Sequence, residues 1–155
     1  MKNIVIAVDP GKTTGIAVFS REPGQEPVLE ASGEYTLWNV VNELYGSIFF
    51  ARDKGVTPDI VCERFIINAQ TVKNSQAPFS LEMIGILKYI VHSSSLDPEK
   101  IIFQSPADAK KMFPNEALKK LGYWKSGTDG HDKDAMRHGL IRLVKLGWVP
   151  RALLS

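Results

Sequence analysis

The run Asn3 to Val8 (Asn-Ile-Val-Ile-Ala-Val) is the strongest constraint in the sequence. Its apolar, mostly β-branched residues leave no polar face, so it reads as a strand buried on both sides and stopped by Asp9-Pro10-Gly11. Gly15 to Ser20 reads as a second strand, close enough to the first to form a hairpin. Arg21 to Pro27, with two Pro and one Gly, is a loop, and Val28 to Thr36 alternates as a third strand. The period then changes. Val40, Val41, Leu44, Tyr45, Ile48 and Phe49 recur at helical spacing, predicting a helix over Leu37 to Lys54 with Gly55 as its stop. Asp59 to Phe65 is a fourth strand. Asn68 to Pro78 is a polar loop, and Ser80 to His92 a helix with Ser80 as its N-cap. Lys100 to Gln104 is a fifth strand, followed by a short helix from Pro106 through Met112. A basic segment with three glycines leads to a last helix over about His131 to Leu146, ended by Gly147 and Pro150. The order βββαβαβα predicts a single α/β domain over residues 1–155 with a mixed five-stranded sheet flanked by helices.

With 44% hydrophobic and 23% charged residues, the composition is that of a globular chain and excludes a disordered tail or coiled coil. The lone Cys62 excludes a disulfide framework and a thiolate zinc cluster, and suits a reducing cytosol. No apolar stretch approaches the ~20 residues that span a bilayer, and the N-terminus lacks a signal-peptide layout. A soluble, cytoplasmic domain is expected. Charge is uneven: residues 1–99 hold 8 Lys and Arg against 12 Asp and Glu, and residues 100–155 hold 11 against 5. A basic last third fits an anionic partner such as nucleic acid; the plainer reading is a set of solvated helix faces.

Gly11-Lys12-Thr13-Thr14 after a strand looks like the end of a phosphate-binding loop. That motif needs a Gly at position 6, which is Ile, and a helix where the strand Gly15 to Ser20 follows. Nucleotide hydrolysis by that route is excluded. Three acidic residues are better placed: Asp9 closes the most apolar strand, Glu63 sits within another, and Asp134 lies near the start of the last helix. A carboxylate in a buried strand costs several kcal/mol, ~2–7, unless it is paired or bound to a cation. In a sheet of this order the first and fourth strands can be neighbours, bringing Asp9 to Glu63, and a last helix packed across them can add Asp134. At 100° per residue His131, Asp134, His138, Arg142 and Lys145 share one stripe of that helix, with Met136, Leu140, Leu143 and Val144 opposite as core. The stripe reads either as a solvated polar face or as a cluster for metal binding or proton transfer, and Asp132 as a first-turn acid pointing elsewhere. Carboxylates with at most a His select hard cations, Mg²⁺ or Mn²⁺.

Asp9-Pro10-Gly11 with Thr14-Gly15, Glu63 on the fourth strand and His131-x-x-Asp134-Ala135 on the last helix resemble RuvC-type Holliday junction resolvases. These belong to the ribonuclease-H-like nucleases, and the chain is most similar to the short RuvC-like proteins of bacteriophages. The resemblance implies a ribonuclease-H-like fold, a homodimer, branched DNA as substrate and two Mg²⁺ per site, replaceable by Mn²⁺. The ions would be held by Asp9, Glu63, His131 and Asp134, which would also be the catalytic residues. The segment Pro106-Ala107-Asp108-Ala109-Lys110 keeps the Pro and Lys of a DNA-contacting motif. Lys110, with Lys111, Lys119 and Lys120, is thus a candidate phosphate contact, and Phe65 is the nearest aromatic to the one the family carries after its strand Glu. Ser80 to Gly85 resembles the family's helix before a close-packed Gly, near the dimer contact. A YqgF-like nuclease acting on RNA or flaps, and a catalytically idle nucleic-acid-binding module, remain open.

Overall fold

The computed structural model describes residues 2–73 and 77–154, without the side chains of Val72 and Ala77. A five-stranded sheet runs in the order β3-β2-β1-β4-β5. Its strands are β1 (Asn3–Asp9), β2 (Thr14–Arg21), β3 (Val28–Tyr35), β4 (Asp59–Glu63) and β5 (Ile102–Gln104). The first three form an antiparallel meander, while β4 and β5 join β1 in parallel. The helices are α1 (Leu37–Asp53), α2 (Ala69–Lys73), α3 (Ala77–Ser93), α4 (Pro106–Met112), α5 (Asn115–Lys120) and α6 (His131–Lys145). The mixed five-stranded α/β architecture expected from the order of apolar runs is therefore present.

The two-residue period of β1 divides the core in two. Ile4, Ile6 and Val8 pack with Ile16, Val18, Ile60 and Cys62 beneath α1 and α3, against Val40, Leu44, Ile48, Met83, Leu87 and Ile90. Val5 and Ala7 face the other way, with Ala17, Phe19 and Val61, onto Met136, Leu140 and Leu143 of α6 and onto Phe113 and Leu118. Asp9 continues the phase of Val5 and Ala7, and Glu63 that of Val61, so both carboxylates point to the α6 side. Pairing of Val8 with Cys62 puts Asp9 and Glu63 at adjacent strand ends.

Helix α6 lies unusually close to the sheet. A Cβ at Gly139 would come within 2.8 Å of the Phe19 ring, and one at Gly15 within 1.9 Å of the His131 carbonyl oxygen. The start of α6 has no capping side chain of its own, because Gly130 occupies the N-cap. Glu34 of β3 supplies the cap from across the sheet, accepting from the backbone N–H of Asp129 at 2.7 Å and of His131 at 3.1 Å. These contacts fix where the first turn of α6 begins.

Several local expectations are corrected. The segment 68–78 is not a simple polar loop: Asn68 accepts from the N–H of Gln70 and Thr71 and starts α2, while positions 74–76 lie outside the described residues. Helix α3 begins at Ala77, so Ser80 is inside it; its hydroxyl donates to the Pro10 carbonyl at 3.1 Å, tying α3 to the β1–β2 turn. Helix α5 was not expected within the basic segment. Nor is α6 two-faced. Its sheet contacts and the α4–α5 layer bury Asp132, Lys133, Arg137 and His138 along with the apolar residues, whereas Val144 is only half-buried. Asp132 accepts from Thr128 Oγ1 at 2.8 Å, and Arg142 leaves the proposed stripe to pair with Asp59 at 2.8 Å. Among the described residues, nothing outside its own helix backbone lies within 4 Å of a Cβ built at Gly85, so the close packing expected there is not made among them.

Because backbone, not a flexible side chain, blocks position 15, Gly15→Ala is expected to destabilise the fold by about 1–3 kcal/mol. Gly46→Ala, in α1 with open space around its Cβ position, should instead be neutral or stabilise by up to about 1 kcal/mol. Urea midpoints of the two variants measure the contrast.

Candidate metal centre

Asp9, Glu63 and Asp134 each place one carboxylate oxygen within 4.8 Å of the others. They come from the ends of two parallel strands and from the first turn of α6, and are brought together by the register of β1 with β4 and the seating of α6 on Gly15. They line a cleft of about 450 Å³ with Pro10, Phe65, Ser80, Pro106 and His131. Ligands commonly sit outside the carboxyl ends of parallel strands, as this cleft does.

Each acid has one basic partner, and all three partners are on α6. His131 Nδ1 donates to Asp9 Oδ2 at 3.0 Å. Arg137 Nη1 donates to Asp134 Oδ1 at 2.6 Å, while its Nε donates to the Phe113 carbonyl at 2.7 Å and its Nη2 to Asn115. His138 Nε2 meets Glu63 Oε2 at 2.8 Å, and its Nδ1 lies 2.8 Å from Gln104 Oε1. The helical spacing explains the set: residues 131 and 134 face the cleft, 138 lies on the same stripe one turn deeper beneath Glu63, and Arg137 reaches back to Asp134 one turn earlier.

Burial pushes the Asp9 carboxyl up to about 6, reinforced by the charges of Glu63 and Asp134 and opposed by the His131 hydrogen bond. The hydrogen bond to Asp9 raises His131, against a smaller desolvation effect. A buried Asp9 carboxyl that resists ionisation, with two further carboxylates converging on it, is a donor set a hard divalent cation satisfies, since the cation replaces the missing solvation of Asp9 and supplies the counter-charge. The residues present therefore fit Mg²⁺ or Mn²⁺.

The other sequence-predicted residues fall in different places. His131 stands beside Asp9 but outside the trio within 4.8 Å. Phe65 is half-buried on the wall of the same cleft. Lys110, exposed on α4, lines an adjoining cleft of about 750 Å³ that shares Asp134. Lys111, Lys119 and Lys120 are exposed and line neither cleft. Lys119 pairs with Glu116 at 3.2 Å and lies 5.0 Å from the Trp124 ring. His138, read from the sequence as part of a polar stripe, is fully buried. Sequence reasoning missed Arg137, Gln104 and Glu34. A signal existed for Gln104: like Asp9 and Glu63, it is a polar residue closing a parallel strand.

The raised values fix the sign of a pH dependence. Asp9 contributes stability below its unfolded value, near 3.8, and loses it as pH rises through about 6; the His131 contribution is present below 6.5 and lost above it. In chelator, the wild-type melting temperature should fall from pH 5.5 to 8. Asp9→Asn should flatten that slope and be more stable at pH 8 by about 1–3 kcal/mol. Adding Mg²⁺ should raise the wild-type melting temperature at pH 8 and leave Asp9→Asn unmoved.

No family model matches the sequence, and no curated protein does. Solved structures match in three dimensions. T. thermophilus RuvC in complex with a Holliday junction substrate is similar with a TM-score of 0.65, covering 93% of this chain and 96% of that one at 14% identity. Fowlpox virus resolvase in complex with substrate Holliday junction DNA is similar with a TM-score of 0.56, covering 94% and 99% at 17% identity. At such identities the likeness establishes the fold: a ribonuclease-H-like α/β sheet of order 3-2-1-4-5 flanked by helices.

Proposed function

We propose that this chain is a metal-dependent endonuclease that hydrolyses phosphodiesters in branched DNA, with the four-way junction as its substrate. One observation carries the reading. Three carboxylates from separate elements converge at the open end of a ribonuclease-H-like sheet, in a fold whose solved neighbours are resolvases bound to Holliday junctions. Asp9, Glu63 and Asp134 would hold two Mg²⁺ or Mn²⁺. Bound there, the ions would stabilise the attacking and leaving oxygens of an in-line displacement.

The remaining work falls to the chain. Asp9 fixes the His131 ring through Nδ1, which leaves Nε2 on the cleft side to take a proton from the attacking water; that role fits its position outside the trio better than direct ligation. Arg137, itself anchored on Phe113 and Asn115, keeps Asp134 turned toward the cleft. Lys110 would hold a phosphate of the strand leaving the site, with Lys111, Lys119 and Lys120 along the same basic flank. Phe65, on the wall beside Glu63, would pack against an unstacked base at the branch point. Two such sites are needed to cut a junction symmetrically, and exposed Leu81 and Tyr89 on α3, with Phe49 on α1, offer apolar surface to a second copy.

Cleavage of a labelled four-way junction in Mg²⁺, beside a flap, an RNA hairpin and linear duplex, tests the reading. Paired nicks on the junction alone are expected, with Asp9→Asn and Glu63→Gln reduced on the order of a thousandfold. Lys110→Ala should weaken binding to every substrate and lower the salt slope by about one. Equal cutting by Asp9→Asn and wild type would sink the site assignment. Cleavage of RNA or flaps only would move the substrate, and salt-dependent binding with no cleavage would leave a binding module.

A further inference from the structure

Glu63, His138 and Gln104 form a line through the interior. His138 is 0% exposed and Gln104 7%. Glu63 and Gln104 are register partners in the parallel pair β4–β5, so their side chains emerge on the same face, and His138 of α6 drops between them. The hydrogen bonding along this line is incomplete in one respect: Gln104 Nε2 is buried without an acceptor among the described residues. With the amide oxygen toward His138, both ring nitrogens must carry protons to serve Gln104 and Glu63 together. Turning the amide by 180° resolves both difficulties. Its N–H then donates to a bare Nδ1, and a neutral imidazole keeps its single proton on Nε2 for Glu63. The group left over is a carbonyl oxygen, which tolerates burial without a partner better than an N–H does.

We propose that Gln104 and His138 are positioning residues for the metal centre, forming a fixed relay in which the Gln104 amide donates to His138 Nδ1 and His138 Nε2–H donates to Glu63. The relay holds one Glu63 oxygen on α6 and frees the other for a cation shared with Asp9 and Asp134. It is distinct from the His131 contact, which serves Asp9 and lies at the cleft surface. Its use as metal support rests on the nuclease reading above; the relay itself does not. Outer partners of this kind commonly set metal affinity by about 10–100-fold, because they fix ligand orientation before the ion arrives.

Two measurements on the full chain test it. Long-range ¹H–¹⁵N spectra of the metal-free protein, labelled at histidine, report the tautomer of His138. Protonation at Nε2 only is expected, becoming a mixture of tautomers in Gln104→Leu. Protonation at Nδ1 only, or at both nitrogens, overturns the relay. Calorimetric titration with Mn²⁺ reads its consequence: His138→Leu should lose about 10–100-fold in affinity. His138→Gln, whose amide reaches the Nε2 position, should recover most of it. Equal affinity in wild type, His138→Leu and Gln104→Leu overturns the positioning role. If His138→Leu does not fold, Gln104→Leu and His138→Gln carry the comparison. If the wild type binds no Mn²⁺, the metal-centre reading fails, and the tautomer spectrum alone upholds or overturns the relay.

Discussion

The seating of α6 on the sheet is the contact on which the candidate site depends. Gly139 lets the helix settle against Phe19 and Ala7, and Gly15 lets its first turn touch the β2 backbone. Any side chain at either place would lift the helix. Lifting it by even one methyl group would carry His131 and Asp134 away from Asp9, because all three acids are held within 4.8 Å. Glu34 adds directional control by capping the helix start from β3. A close-packed interior transmits such displacements instead of absorbing them.

The same helix resolves the electrostatic problem it helps to create. Glu63 and Asp134 act on Asp9 as like charges, and burial displaces the Asp9 equilibrium further toward the protonated form. His131, Arg137 and His138 give each acid one hydrogen-bonded partner, so the cluster is assembled before any cation enters. Preassembly lowers the reorganisation that binding must drive. It leaves the second oxygen of each carboxylate for the ion. The like-charge effect of Glu63 and Asp134 on Asp9 is what a divalent cation bound there would relieve.

Much of the fold was legible because burial and periodicity are local properties. The Ile-Val alternation of β1, the Asp9-Pro10-Gly11 stop and the helical spacing around Leu44 each specify their element without reference to the rest of the chain. The acids were legible for a related reason: a carboxylate closing an apolar strand needs a partner wherever that strand ends up. The failures concern residues whose surroundings come from distant segments. The burial of His138 and the role of Arg137 were not legible because a helical wheel knows only its own residues, while the α4–α5 layer and Gln104, which bury and bind them, lie ten or more residues away. Ser80 looked like an N-cap since Ser favours that position, and its hydroxyl instead answers the Pro10 carbonyl.

The sequence by itself determined the strand order of hydrophobicity, the α/β class and the identity of the three acids, since each follows from neighbours along the chain. Only the tertiary structure decided that those acids meet, that α6 is buried on nearly every side and that each acid has a basic partner. The physical reason is that these depend on parallel pairing across about fifty residues and on two missing Cβ atoms, Gly15 and Gly139, whose significance appears only when another element is pressed against them.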